Sequence, residues 1–322
     1  MDRRNFSTAV MLTAIASLIW GTSFPGVKWG LGYVGNDVLF LWLRFAVASV
    51  FTLSIVLWLK RFSFSVLKVP TIWLIGGLNA AAFVVQYVGL NYTTASKTAL
   101  LVDINVVAVA IISYFVFAER IGSKQAIGIA SGVAGIVLIT GDGGMSFERS
   151  EFIGDLLVFG CGWLWAFFIV MNKKIVTTYS AVEVSSSAIV TSTVWLTIPL
   201  AYVYLTGADF TVEAPAWAAV AYLGVFCTSI AILLWAAGLK GVSATSSATI
   251  MLIEIVVALA ISISLLEETL RPVAAVGAAL VLAAGLSAND ARAQAYPNKT
   301  IRMVVPIGAG GGTDTMARLI SQ

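Results

Sequence analysis

Three ionisable side chains stand where hydrocarbon would surround them: Arg44 in "LWLRFAV", Asp103 in "LLVDINVV" and Glu254 in "MLIEIVV". A charge near the centre of a bilayer costs roughly 2.5–3.5 kcal/mol on insertion scales, so each needs a partner or a wet cavity. Arg44 and Asp103 each lie about six residues into their spans from the same side, which at 1.5 Å per residue puts both about 9 Å deep. The matched depth predicts an ion pair. Such a pair either holds the second helix to the fourth or lines a cavity mouth, where it could engage the charged groups of a zwitterion. Glu254 has no opposite charge at a matching depth. Burial disfavours the charged form of an acid, which leaves a neutral hydrogen-bonder or a proton-coupling or amine-binding group.

Uncharged polar residues extend the candidate cavity. Trp20-Gly21-Thr22-Ser23-Phe24-Pro25 interrupts the first apolar stretch. Pro25 removes a backbone donor and Gly21 permits a bend, so these two are the expected hinge. Broken backbone is tolerated in a membrane where it faces protein or a water-filled cavity, which brings Trp20, Thr22 and Ser23 to the site. Asn79 and Gln86 are seven residues apart and share a helix face. With Asn105, Trp163, Tyr222 and Trp235 they predict an amide- and aromatic-lined cavity. No other chemistry is encoded in a recognisable pattern. The chain has no histidine, and Cys161 and Cys227 stand alone in apolar runs, where small buried residues are expected. No nucleophile–base grouping, metal-ligand cluster, phosphate-binding loop or nucleic-acid pattern occurs, so no enzyme, metal, cofactor or nucleic-acid partner is expected.

The elements that must position these residues are membrane spans. Of 322 residues 59% are hydrophobic and 11% charged, with a mean hydropathy of +0.95; soluble domains run near a quarter charged. Stretches of about twenty apolar residues recur from Ala9 to Ala288, the length that crosses a bilayer. The predicted spans are Thr8–Gly26, Val38–Leu59, Ile72–Leu90, Thr98–Phe117, Gln125–Thr140, Leu156–Val176, Val184–Tyr204, Trp217–Leu239, Thr245–Leu265 and Val273–Ala288. With the N-terminus inside, ten basic residues fall in cytoplasmic loops (among them Arg3, Lys60, Lys173 and Lys240) and four outside (Lys28, Lys97, Arg149 and Arg271). That bias predicts a multi-pass protein with both termini in the cytoplasm.

The two halves match at a fixed offset of 149 residues. "VGLNYTTAS" (88–96) aligns with "AGLKGVSAT" (237–245), and beyond it Ile104 meets Ile253, Asn105 meets Glu254, Glu119 meets Glu268 and Gly128 meets Gly277 without a gap. The first helices agree more loosely, "LIWGTSF" (18–24) against "WLWAFFI" (163–169). Five spans per copy is odd, so the second copy enters the membrane the other way up. The expected fold is an all-α membrane protein of ten transmembrane helices, two inverted five-helix repeats (1–141 and 142–288) around a central cavity. "GIASGVAG" (128–135) and "GAALVLAAG" (277–285) carry small residues at four-residue spacing, fit for close packing within the protomer or for a homodimer through the fifth or tenth helix.

At this point a family resemblance is visible. "IASLIWGTSFPGVKWGL" (15–31), "LWLRFAVAS" (41–49), "GLNYTTASKTALLVDINVVAVAIISYFVFAERIGSKQAIGIASGVAGIVLI" (89–139) and "SATIMLIEIVVALAISISLLEETLRPVAAVGAALVLAAG" (247–285) resemble the paired EamA domains of the drug/metabolite transporter superfamily. The resemblance implies export of amino acids or related small metabolites across a bacterial inner membrane by alternating access, with the fifth helix of each repeat peripheral. A carrier of other small organic solutes and a non-transporting sensor or assembly protein are the alternatives. Family members often carry proline in the fourth helix of each repeat, where this chain has Val106 and Ile255, so a proline hinge is not expected there.

The remaining residues, 289–322, differ in kind. "AYPNKTIRMVVPIGAGGGTDTMARLIS" resembles the start of the periplasmic receptors of tripartite tricarboxylate transporters. A strand, a glycine-rich loop and a helix cannot bury a core by themselves. Thr313 stands where a dinucleotide fingerprint needs its last glycine. The tail is expected to be a fusion or remnant without binding activity.

Overall fold

The structure, a computed structural model, describes residues 3–58, 64–93, 101–119, 121–142 and 149–265, together with residue 98 and a few positions between 272 and 283. The tail 289–322, most of the tenth predicted span and several loop lysines and arginines lie outside the described residues. Among the described residues, seven helices are long and apolar enough to cross a membrane, and Asn105–Phe117 and Ala126–Gly135 are shorter apolar helices. Large apolar side chains such as Trp58, Phe115, Ile198 and Leu205 are exposed on their outer faces, as lipid contact requires.

The first span is two helices, α1 (Arg3–Gly21) and α2 (Ser23–Leu31), meeting at Thr22. The second is α3 (Asp37–Trp58) and the third α4 (Pro70–Leu90), which starts on a proline whose missing donor costs nothing at a helix N-terminus. The fourth contains α5 (Asn105–Phe117), the fifth is α6 (Ser123–Asp142) and the sixth α7 (Arg149–Ile175). Seventh is α8 (Ala181–Leu205), opened by a capping box in which Ser180 and Glu183 satisfy each other's backbone donors. The eighth runs as α9 (Ala214–Tyr222), a π-helical segment (Leu223–Ile230) and α10 (Ala231–Leu239); the ninth as α11 (Ala244–Met251) and α12 (Ile253–Leu265).

Packing repeats as the sequence repeats. The third span lies on the sixth and the eighth on the first; the fourth lies on the sixth and the ninth on the first; the third lies on the seventh and the eighth on the second. Exchange of the two repeats therefore maps the contacts onto themselves. Gly89 and Gly238, matched at the 149-residue offset, sit at equivalent crossings. A Cβ on Gly89 would come within 2.6 Å of Val158, and one on Gly238 within 2.7 Å of the Ala9 carbonyl. Small residues let these helix backbones approach closely. In the fifth span Gly128, Gly132 and Gly135 are buried within the chain, and the helix packs against the ninth.

Besides the break at Thr22, three further features depart from continuous spans. The fourth is broken at Asp103–Ile104 and the ninth at Leu252, positions that match in the repeat. The chain tightens there through bonds three residues apart, Val106 N–H to Asp103 O (3.1 Å) and Ile255 N–H to Leu252 O (3.2 Å), as in a 3₁₀ turn. No proline is present at either break. In the eighth span the π segment has no counterpart in α4. There the hydroxyls of Thr228 and Ser229 reach back five residues, to the Leu223 and Gly224 carbonyls at 2.9 and 3.1 Å.

Candidate functional site

A cavity lies where the first, third, fourth, sixth, eighth and ninth spans converge, with Arg44 reaching in from the second. It gives about 50 Å³ to the centres of water-sized molecules, against roughly 10–15 Å³ needed to seat one water. Its walls come in repeat-matched pairs. Asn105 faces the site with Glu254, Gln86 with Trp235, and Val102 with Met251. From the first and sixth spans come Trp20 with Trp165, Ser23 with Phe168, and Phe24 with Ile169, pairs that follow the alignment of "LIWGTSF" with "WLWAFFI". Among the described residues only Arg44 and Phe83 line the cavity without a matching partner across it.

Aromatic rings form the apolar wall. Phe168 stacks on Trp235 at 5.5 Å and 14°, Trp165 meets Phe83 edge-on at 5.0 Å, and Trp20 lies 6.0 Å from Trp235. Such pairs contribute about 0.5–1.5 kcal/mol each beyond burial, enough to hold the rings in fixed orientations. Trp20 is anchored further by its indole N–H on the Cys227 carbonyl at 2.8 Å.

Arg44 is 1% exposed. Its Nε donates to Thr228 Oγ1 at 2.8 Å, Nη1 donates to Tyr87 Oη at 3.1 Å, and the guanidinium lies 4.7 Å above the Phe83 ring. The remaining nitrogen, Nη2, has no partner among the described residues. Gly224 makes this placement possible, because a Cβ there would come within 2.8 Å of the Arg44 carbonyl. The π segment meanwhile turns Thr228 toward the guanidinium.

The ion pair expected from depth is not formed. Arg44 has turned to the third and eighth spans, and among the described residues no ion pair joins it to Asp103. Asp103 is fully buried behind the cavity wall, with Oδ1 accepting from Asn105 Nδ2 at 3.4 Å and Oδ2 unpartnered. Equal depth fixes only one coordinate, and the two side chains point to different neighbours. Glu254 does line the cavity, 4% exposed, and lies within electrostatic reach of Asp103. Among the described residues no hydrogen bond engages its carboxyl group.

Other expected lining residues are elsewhere. Trp163 is 36% exposed on the outer surface, and the cavity position belongs to Trp165 two residues on. Asn79 is buried between the third and seventh spans, donating to Ser192 Oγ at 2.9 Å. The Thr22 hydroxyl bonds the Ile19 carbonyl and Tyr222 Oη, both at 2.6 Å, at the edge of the bundle. Thr22 and Tyr222 thus join the first span to the eighth outside the cavity. Gly21 and Pro25 flank the break at Thr22. Gly21 is pressed against the ninth span, where a Cβ would lie 2.6 Å from the Glu254 carbonyl.

A cavity between two repeat-related sets of apolar helices, lined by rings and a few polar groups and bounded by broken helices, defines a membrane transporter. The chain belongs to the EamA-like transporter family, whose pattern matches residues 7–141 and 152–287. It is 29% identical over 243 residues to a protein of Archaeoglobus fulgidus described as an "Uncharacterized transporter", covering 74% of this chain and 82% of that one. Over 290 residues it is 26% identical to a "Probable amino-acid metabolite efflux pump" of Salmonella typhimurium, covering 86% and 93%. With a "Probable terminal-alkyne amino-acid exporter" of Streptantibioticus cattleyicolor it shares 27% identity over 288 residues, 88% and 94% of the two chains. A solved structure titled "Crystal structure of protein" shares the fold, with a TM-score of 0.73, 19% identity and coverage of 88% of this chain and 96% of that one.

Proposed function

We propose that the protein exports amino acids or related small metabolites across a bacterial inner membrane by alternating access, with both termini in the cytoplasm. The observation that carries this reading is the cavity wall assembled from corresponding residues of the two repeats. A site on the repeat interface is exposed to one side or the other as the halves rock around it. The fourth- and ninth-span breaks and the interruption at Thr22, between Gly21 and Pro25, supply places where backbone can bend. Glu254 is the group for proton coupling or amine recognition. The names of the efflux pump and exporter relatives agree with an amino-acid-like cargo.

Counterflow tests it. Proteoliposomes preloaded with each unlabelled amino acid in turn should accumulate the same labelled compound transiently for at least one member of the panel. If none is accumulated while the purified protein remains folded and monodisperse, the amino-acid reading fails. Accumulation of an unrelated organic solute would then favour the broader carrier alternative.

A further inference from the structure

We propose that Arg44 is a carboxylate-binding residue of the cavity, which makes the site one-sided toward small organic acids whose apolar remainder packs on the aromatic wall. This rests on the reading of the cavity as the transport site, but it does not require that the cargo be an amino acid.

A buried arginine with one unengaged nitrogen is costly unless something else completes its hydrogen bonds. Two neutral hydroxyls, from Thr228 and Tyr87, fix its plane from the Nε and Nη1 side, and the Phe83 ring supports its face. None of these neutralises the charge, and Nη2 has no partner among the described residues. Arg44 nevertheless lines the cavity, and its buried, unengaged Nη2 is the donor left for an occupant of that cavity. A planar fork of donors suits a carboxylate, which can accept two parallel N–H bonds.

Symmetry sharpens the point. Twelve of the fourteen described lining residues form matched pairs, so duplication alone accounts for their presence on both sides. Arg44 and Phe83, which contact each other, are the exceptions. The π segment that aims Thr228 at Arg44 is likewise absent from the other repeat. Two asymmetric features, Phe83 and the π segment, thus converge on one asymmetric guanidinium, and together they hold it ready for an anionic group. The Glu254 carboxyl group can accept from an ammonium at the same cavity, so a zwitterion fits and a simple monocarboxylate fits the Arg44 end alone.

The experiment uses the intrinsic fluorescence of the purified full chain, because Trp20, Trp165 and Trp235 line the cavity. Three probes share one branched apolar body: L-leucine, 4-methylpentanoate (carboxylate only) and 3-methylbutylamine (amine only). Wild type should show saturable quenching with leucine and 4-methylpentanoate, at least tenfold tighter than with the amine. Arg44→Gln should weaken both carboxylates at least tenfold and leave the amine within about twofold. If Arg44→Gln does not fold, Tyr87→Phe removes one orienting hydroxyl and should weaken the carboxylates several-fold without moving the amine. A wild type that binds the amine as tightly as the carboxylates overturns the proposal. So does an Arg44→Gln or Tyr87→Phe protein with the wild-type preference. Loss of amino-acid counterflow with Arg44-dependent binding of 4-methylpentanoate intact would remove the amino-acid reading and leave this one standing.

Discussion

Lys28 and Lys173 make the same contact in the two repeats. Lys28 Nζ donates to the Leu90 and Thr93 carbonyls at 3.0 and 3.3 Å, and Lys173 Nζ to the Leu239 and Val242 carbonyls at 2.8 and 2.6 Å. Leu90 matches Leu239, and Thr93 matches Val242, at the 149-residue offset. Extending "LIWGTSF"/"WLWAFFI" by four residues matches the two lysines as well. Each ammonium therefore satisfies carbonyls left over at a helix C-terminus, where a cation is also favoured by the helix dipole.

Lys28→Met and Lys173→Met should each cost about 1–2 kcal/mol of stability, the lower part of the range for bonds to a charged group, because both lysines are partly exposed. The two sites share no partner, so the double variant should be additive. Chemical unfolding in detergent checks this, and an unchanged midpoint for either variant would remove the capping role.

Gly89→Ala and Gly238→Ala should both destabilise the protein, by roughly 1–3 kcal/mol each as overpacked contacts do. The control is Gly160→Ala, where a Cβ would meet nothing within 4 Å. There the better helix propensity of alanine should leave stability unchanged or slightly raised. Equal effects at all three positions would contradict the close crossings.

Asp103 and Arg44 should behave independently. Asp103→Asn keeps an acceptor for Asn105 and removes a buried carboxylate, so stability should change by less than about 1 kcal/mol. Combined with Arg44→Gln it should add to that variant's effect within about 0.5 kcal/mol. A large coupling energy in this double-mutant cycle would restore the ion pair.

Glu254→Gln preserves shape while removing a titratable group from the cavity. It should fold normally and flatten the pH dependence of counterflow. Full activity with an unchanged pH profile would leave Glu254 a structural hydrogen-bonder.

Truncation after Ala288 should leave insertion, folding and counterflow unchanged, since the family match ends at residue 287. A folded but inactive truncated protein would make the tail a working part.

The architecture was legible because duplication writes itself twice: the gapless match from Gly89 through Gly128 carries the third, fourth and fifth spans onto the eighth, ninth and tenth. The site was legible in part. Ser23, Gln86, Asn105 and Glu254 stood out as polar groups in apolar runs, and all four line the cavity. Trp165 was within reach, since it aligns with Trp20, but its neighbour Trp163 is chemically identical and only azimuth separates them. The breaks at Asp103–Ile104 and Leu252 carry no glycine or proline to announce them. The π segment, LGVFCTSI, mixes apolar residues with Gly224, Thr228 and Ser229, a composition that α-helical spans of this chain share. Arg44 was read correctly as buried and wrongly as paired, because hydropathy gives depth and says nothing of direction around the helix axis.

The π-helical segment of the eighth span has a further consequence. Two identical halves related by inversion would give outward-open and inward-open forms the same free energy, and an empty carrier would rest equally in both. Under the alternating access proposed above, one wider stretch, present in a single repeat and tied to Arg44 through Thr228, adds to the sequence differences that remove that degeneracy. A bias of about 1.4 kcal/mol already populates one orientation tenfold over the other. Substitutions along Leu223–Ile230 that restore ordinary α-helical winding are thus a way to reset which side of the membrane the unloaded protein faces.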